Sequence, residues 1–199
     1  MSETRQVRAA ETAFETREAD GQMIIEGYFS VFGTDYNIAP GMTETVAQGA
    51  FDRTLGTQDV RALTNHDTRL VLGRQSAGTL TLKEDTHGLW GSILVNPNDQ
   101  DAVNTYERIR RGDVNQCSFG FDIVKEDAEY LPDGSVRWTI RDVELYEVSV
   151  CTFPAYAETN VQARAAERET MDKRRREAWK AKMLERVRDH GDQSDHGEA

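Results

Sequence analysis

Hydrophobic spacing along the chain changes character several times. Residues 1–20 are charged throughout and carry no sustained apolar pattern, which predicts a flexible N-terminal segment. From Met23 the text MIIEGYFSVFG is rich in β-branched and aromatic residues and ends in turn-formers, the signature of a strand. Glu44 to Leu55 (ETVAQGAFDRTL) reads as a short helix or two turns. DVRALTNHD predicts a strand ending in a polar loop. LVLG, AGTLTLKED and HGLWGSILV follow as short strands, with a hairpin turn across Glu84–Gly88. The period then changes. In NPNDQDAVNTYERIRRGDV, residues Ala102, Val103, Tyr106 and Ile109 fall at helical spacing, Asp99 or Asp101 can cap the start, and Gly112 closes the end. VNQCSFGFDIVKED is a strand, LPDGSV a turn, RWTIRDVEL a strand, and YEVSVCTF another that stops at Pro154. Roughly seven or eight strands with one or two helices predict a mainly β, α+β fold, largely antiparallel and closing as a compact barrel or sandwich flanked by helices.

Beyond Ala163 the text loses Gly and Pro and becomes ARAAERETMDKRRREAWKAKMLERVRDH, with Met171, Trp179, Met183 and Val187 near one face of a charged helix. This divides the chain into a flexible charged terminus (1–20), a folded body (21–163), and a basic helix with a polar tail (164–199). Lys173 to Arg188 carries eight basic and two acidic residues, whereas residues 1–163 carry 26 acidic against 14 basic. An acidic body disfavours nucleic acid as the main partner, because phosphate binding needs the opposite sign. No run of eighteen apolar residues and no secretory leader is present, so the expected setting is a cytoplasm without membrane insertion.

Two cysteines, Cys117 and Cys151, make no disulfide framework, and His66, His87, His190 and His196 show no metal-ligand spacing. Phosphate-loop and dinucleotide motifs are absent, so no metal and no cofactor is expected. Three segments remain that carry chemistry. In Asn65-His66-Asp67 a histidine at a strand end, among small polar residues, has a setting that suits a general base. In Cys117-Ser118-Phe119-Gly120-Phe121, strand alternation turns Phe119 and Phe121 one way and Ser118 and Gly120 the other. Gly120 leaves room beside the Ser118 hydroxyl, and the backbone N–H groups of Phe119 and Gly120 are candidate oxyanion donors. In Glu144 to Val150, Glu147 and Ser149 share one face, where a carboxylate can orient a histidine; Asp67 is the other candidate orienter, ranked lower because adjacent residues diverge. Cys117 is an alternative nucleophile, but it faces away from Ser118, so both cannot meet His66. Each segment also has a plain reading: a loop histidine, a strand with a polar outward face, a solvent-facing glutamate. Local sequence leaves both open.

In order, the segments resemble a known family. GYFSVFGTDYN (27–37), ETVAQGAFDRTL (44–55), LTNHD (63–67), DTHGLWGSI (85–93), IRRGDVNQCSFGF (109–121) and LYEVSVCTFPAYAET (145–159) look like the prohead proteases of HK97-like tailed phages, which share a clan with the herpesvirus assembly proteases. The resemblance implies a serine endopeptidase with Ser118 as nucleophile and His66 as general base, on a compact β-barrel surrounded by helices. The herpesvirus relatives use a second histidine after the serine. No histidine follows Ser118 in the folded body, and Glu147 stands at that place in the order. The family further implies action inside the procapsid in a bacterial host, cleavage of the scaffolding region of the major capsid protein and of the protease itself, and a possible homo-oligomer. The basic helix and tail are then expected either to dock onto that scaffold or to be removed by self-processing. A non-catalytic capsid- or scaffold-associated assembly protein of the same fold is the alternative.

Overall fold

The computed structural model describes the backbone of residues 6–11, 14–19, 21–153 and 158–193, in two compact units, 1–157 and 158–199. In chain order the first holds β1 (Gln6–Glu11), β2 (Glu15–Ala19), β3 (Gln22–Val31), β4 (Tyr36–Ala39), β5 (Met42–Val46), α1 (Asp52–Thr57), β6 (Arg61–Thr64), β7 (Asp67–Arg74), β8 (Leu80–Glu84), β9 (Gly88–Leu94), α2 (Gln100–Arg111), β10 (Gln116–Tyr130) and β11 (Val136–Cys151). The second is α3 (Glu158–Gln193), on which Trp179 and Leu184 are exposed. The expected β-rich α+β class, mostly antiparallel with a C-terminal charged helix, is what the chain forms.

The strands fall into two sheets. One is four-stranded, in the order β2-β3-β9-β8, and antiparallel throughout. The other has seven strands along the path β1-β10-β11-β5-β4, with β6 on β11 and β7 on β6. Its centre is the long antiparallel hairpin of β10 and β11, closed by a turn in which Gly134 takes φ +85°. Along its other edge β11 carries two parallel strands in series, β5 against Val136–Ile140 and β6 against Glu147–Val150. The core lies between the sheets: Ile25, Phe29, Leu89 and Ile93 from one meet Phe119, Phe121, Val148 and Val150 from the other. Aromatic rings continue that core from Phe51 to Phe119 (5.6 Å, edge-on) and on to Phe121 (4.9 Å, stacked). Burying rings of this size is the main source of stability.

The helix α2 forms where its pattern predicts it. Asp99 caps the first turn by accepting from Asp101 N and Ala102 N, and Gly112 ends the helix in the left-handed conformation. Ala102, Tyr106 and Ile109 are its buried face, joined by Thr105. Four expectations change. The terminus read as flexible contains β1 and β2, formed by backbone pairing to β10 and β3 rather than by an apolar pattern of their own. Residues 1–5, 12–13 and 20 of that segment lie outside the described residues. Glu44–Val46, read as helix or turn, is strand, because β11 offers it a parallel edge; the helix begins only at Asp52. The two strands expected around Arg137–Phe153 are one continuous β11. The polar loop expected after Thr64 is a two-residue turn, since Thr64 pairs with Asp67.

Candidate active site

That turn sets the histidine. Asn65 and His66 both have positive φ, 51° and 59°, as a tight hairpin connection between right-twisted strands requires. Asparagine tolerates this region well; histidine does so less readily, and the turn is held by bonds to β11. Asn65 N donates to Val150 O (2.9 Å), Thr152 N donates to Asn65 Oδ1 (2.9 Å), and His66 N donates to Ser149 Oγ (3.2 Å). The parallel pairing of β6 with β11 brings this tip beside Glu147, Ser149 and Cys151.

Glu147, Ser149 and Cys151 alternate on one face of β11, as the period of two dictates. Directly across on β10, Gly120 pairs with Glu147, Ser118 with Ser149, and Gln116 with Cys151. Ser118 therefore shares the sheet face with Glu147 and Ser149, one strand over. Phe119, Phe121, Val148 and Val150 line the core on the other side.

The side chains form a short network. His66 Nδ1 lies 2.7 Å from Glu147 Oε1, and Ser149 Oγ donates to Glu147 Oε2 at 2.6 Å. Glu147 is almost wholly buried, whereas a fifth of the His66 side chain meets solvent. With Nδ1–H given to the carboxylate, Nε2 keeps the lone pair and is the basic atom. The group nearest that nitrogen is Cys151 Sγ, at 3.8 Å. Burial pushes the Cys151 thiol up to about 12, so at neutral pH it is a thiol and not the nucleophilic thiolate.

Ser118 is fully buried, and its hydroxyl donates to the backbone carbonyl of Arg8 on β1 at 2.7 Å. It makes no hydrogen bond to His66. The sequence-predicted residues are thus brought together in two steps: His66 and Glu147 in direct contact, Ser118 on the same face but engaged elsewhere. Phe119 and Gly120 lie where β10 is flanked by β1 and β11, at ladder positions, with a register shift relative to β11 immediately after Gly120.

The competing candidates separate cleanly. Asp67 turns to Arg69, which bonds both its oxygens (Nε 3.0 Å, Nη2 2.7 Å) and holds the carboxyl down at about 2; it does not reach the imidazole. Cys117 faces the core, its thiol directed at the carbonyls of Tyr28 (3.3 Å) and Phe29 (3.6 Å). His87 stacks edge-on with Tyr28 in the turn before β9. Ser149, Asn65 and Cys151 are the site residues to which sequence reasoning gives no role. Alternation from Glu147 places Ser149 and Cys151 on the same face, so that signal was readable; the role of Asn65 depends on the turn and was not. No cluster of potential metal ligands occurs among the described residues.

Residues 10–174 match the family model described as Caudovirus prohead serine protease. The prohead protease of Enterobacteria phage HK97 is 33% identical over 145 residues, covering 71% of this chain and 60% of that protein, so the chain spans about three fifths of the relative's length. Among solved structures, that of the bacteriophage T4 capsid assembly protease matches with a TM-score of 0.42 and 11% identity, over 75% of this chain and 99% of the other. With more than half of its length matched by the family model, the chain belongs to the Caudovirus prohead serine protease family.

Proposed function

We propose that the chain is a serine endopeptidase of phage capsid maturation, in which Ser118 attacks the peptide carbonyl, His66 is the general base and Glu147 orients and balances the imidazole. The observation that carries this reading is the 2.7 Å contact between His66 Nδ1 and a buried carboxylate, on the same sheet face as Ser118. A carboxylate in that position fixes the tautomer that leaves Nε2 basic and stabilises the imidazolium formed when Nε2 takes the hydroxyl proton. Ser149 extends the arrangement by holding both Glu147 and the His66 backbone. The acyl-enzyme is then released by a water that His66 activates, with the backbone N–H groups of Phe119 and Gly120 as the candidate oxyanion donors.

The substrate in this reading is the scaffolding region of the major capsid protein, cut inside the procapsid in the bacterial host, together with the protease itself. The HK97 relative is named for the prohead, which supports that setting. The basic stretch of α3 suits docking onto an acidic scaffold. Co-expression with the cognate capsid protein tests the reading. Processed capsid protein with the native chain, and intact protein with Ser118→Ala, is expected. Continued processing by Ser118→Ala contradicts it, and Cys117→Ala and Cys151→Ala controls show whether a thiol is responsible. The alternative, a non-catalytic assembly protein of the same fold, has one observation on its side: Ser118 is bonded to Arg8 and not to His66. Intact capsid protein in the presence of the native chain favours it.

A further inference from the structure

A nucleophile that meets no solvent cannot meet a substrate until something moves, and the segment bonded to Ser118 is β1. This strand lies at the end of the larger sheet, antiparallel to β10, with Arg8 opposite Phe119 and Ala9 opposite Ser118. The Arg8 carbonyl takes the Ser118 hydroxyl hydrogen, the same hydrogen His66 must receive for catalysis. A backbone carbonyl on an extended strand beside the hydroxyl is also what a substrate peptide presents.

Two features mark β1 as an occupant and not a fixed wall. Its sequence, QVRAAE, offers Val7 as the sole large apolar side chain, and Val7 is only partly buried. A charge ties it to the body of the sheet. The Arg8 guanidinium pairs with both oxygens of Glu44 (Nη2 to Oε2, 2.7 Å) and lies 5.6 Å from the centre of the Phe121 ring. Glu44 is fully buried. Removing a cation from a buried carboxylate is costly, so β1 is displaced most easily by a segment that brings a cation of its own.

We propose that β1 is a self-docked strand on the peptide-binding edge of β10, and that the segment replacing it is an extended peptide whose basic side chain takes over Glu44. The inference rests on the peptidase reading above. Displacement frees the β10 backbone groups that face β1, and an incoming strand pairs with them as in other cases of strand addition. In the closed form the site is shielded; in the open form it accepts a chain with arginine or lysine at the Arg8 position.

The test follows Ser118 with a fluorophosphonate probe, whose attachment reports an accessible, activated serine. In the full chain, Ala10→Cys sets a thiol opposite Cys117 in the ladder register. Oxidation to the cross-link, verified by mass, is expected to slow labelling at least about tenfold and reduction to restore it. Arg8→Ala, checked for an unchanged fold by circular dichroism, is expected to label at least about fivefold faster than the native chain. A peptide copying residues 6–13 is then expected to slow labelling of the Arg8→Ala chain, its Arg8→Lys version to do the same, and its Arg8→Glu version to have no effect. Equal labelling of cross-linked and reduced chains overturns the inference, as does equal inhibition by the Arg8→Glu peptide. No labelling in any form, with Ser118→Ala indistinguishable, overturns the peptidase reading and this inference with it.

Discussion

The two faces of the β10–β11 hairpin are built from alternate residues of the same two strands, yet they are held by different physics. On the core face Phe119, Phe121, Val148 and Val150 are fully buried among other apolar side chains. Packing there is nondirectional, so hydrophobes of similar volume are tolerated. On the opposite face Ser118, Glu147 and Ser149 are as deeply buried, but every one is polar and each needs a partner in the right place. The difference teaches where the molecule spends stability. The apolar face supplies it, and the polar face uses part of it to hold a carboxylate, a hydroxyl and an imidazole in fixed relation.

Substitutions on the two faces sharpen this contrast. The largest effect is expected from Ser118→Ala, which should reduce proteolysis by about 10³-fold or more while leaving the thermal midpoint nearly unchanged; a capsid-protein cleavage assay beside a melting curve separates the two. Glu147→Gln comes next, with a loss of about 10²–10⁴-fold, because an amide no longer favours the Nδ1–H tautomer or balances the imidazolium. On the core face Phe119→Ala should cost about 3–5 kcal/mol in chemical denaturation, and its specific activity per folded molecule should fall far less than that of the serine variant. A Phe119 variant that unfolds little but loses all activity breaks the proposed division of labour.

Ser149→Ala tests whether the polar face is a network. It leaves His66 N–H without its acceptor and Glu147 without one donor, and should cost about 1–3 kcal/mol together with a lower kcat at unchanged KM. Threonine at 149 should restore part of the rate. The smallest effect concerns Cys151. Burial raises its thiol from 9.0 to about 12 in the folded chain. Its contribution to stability is therefore complete below pH 9 and is lost as pH rises from there toward 12, because the unfolded thiol ionises first. Cys151→Val should flatten this decline by about 1 kcal/mol at pH 10, measured by urea unfolding at pH 7 and pH 10.

The same contrast explains what was legible before the structure. Alternation is a local property, so the opposite orientations of Ser118 and Phe119, and of Glu147 and Val148, could be read directly. So could α2, where Asp99 and Gly112 mark both ends of one apolar stripe. What escaped depended on partners distant in sequence. Glu44–Val46 is a strand because β11 lies beside it. β1 is a strand because β10 has a free edge, and nothing in QVRAAE announces it. Asn65 matters through a left-handed turn and a bond to Thr152, which no spacing rule contains. Cys151 was within reach of alternation but was passed over for Cys117, the cysteine adjacent to the serine.

In the proposed mechanism the hydroxyl at 118 is the activated nucleophile. Mass-spectrometric mapping of a fluorophosphonate adduct on the full chain tests it most directly. The predicted result is one modified peptide, containing Ser118, whose modification disappears in His66→Ala. An adduct on Ser149, or modification of Ser118 that persists at full rate without the imidazole, would contradict it.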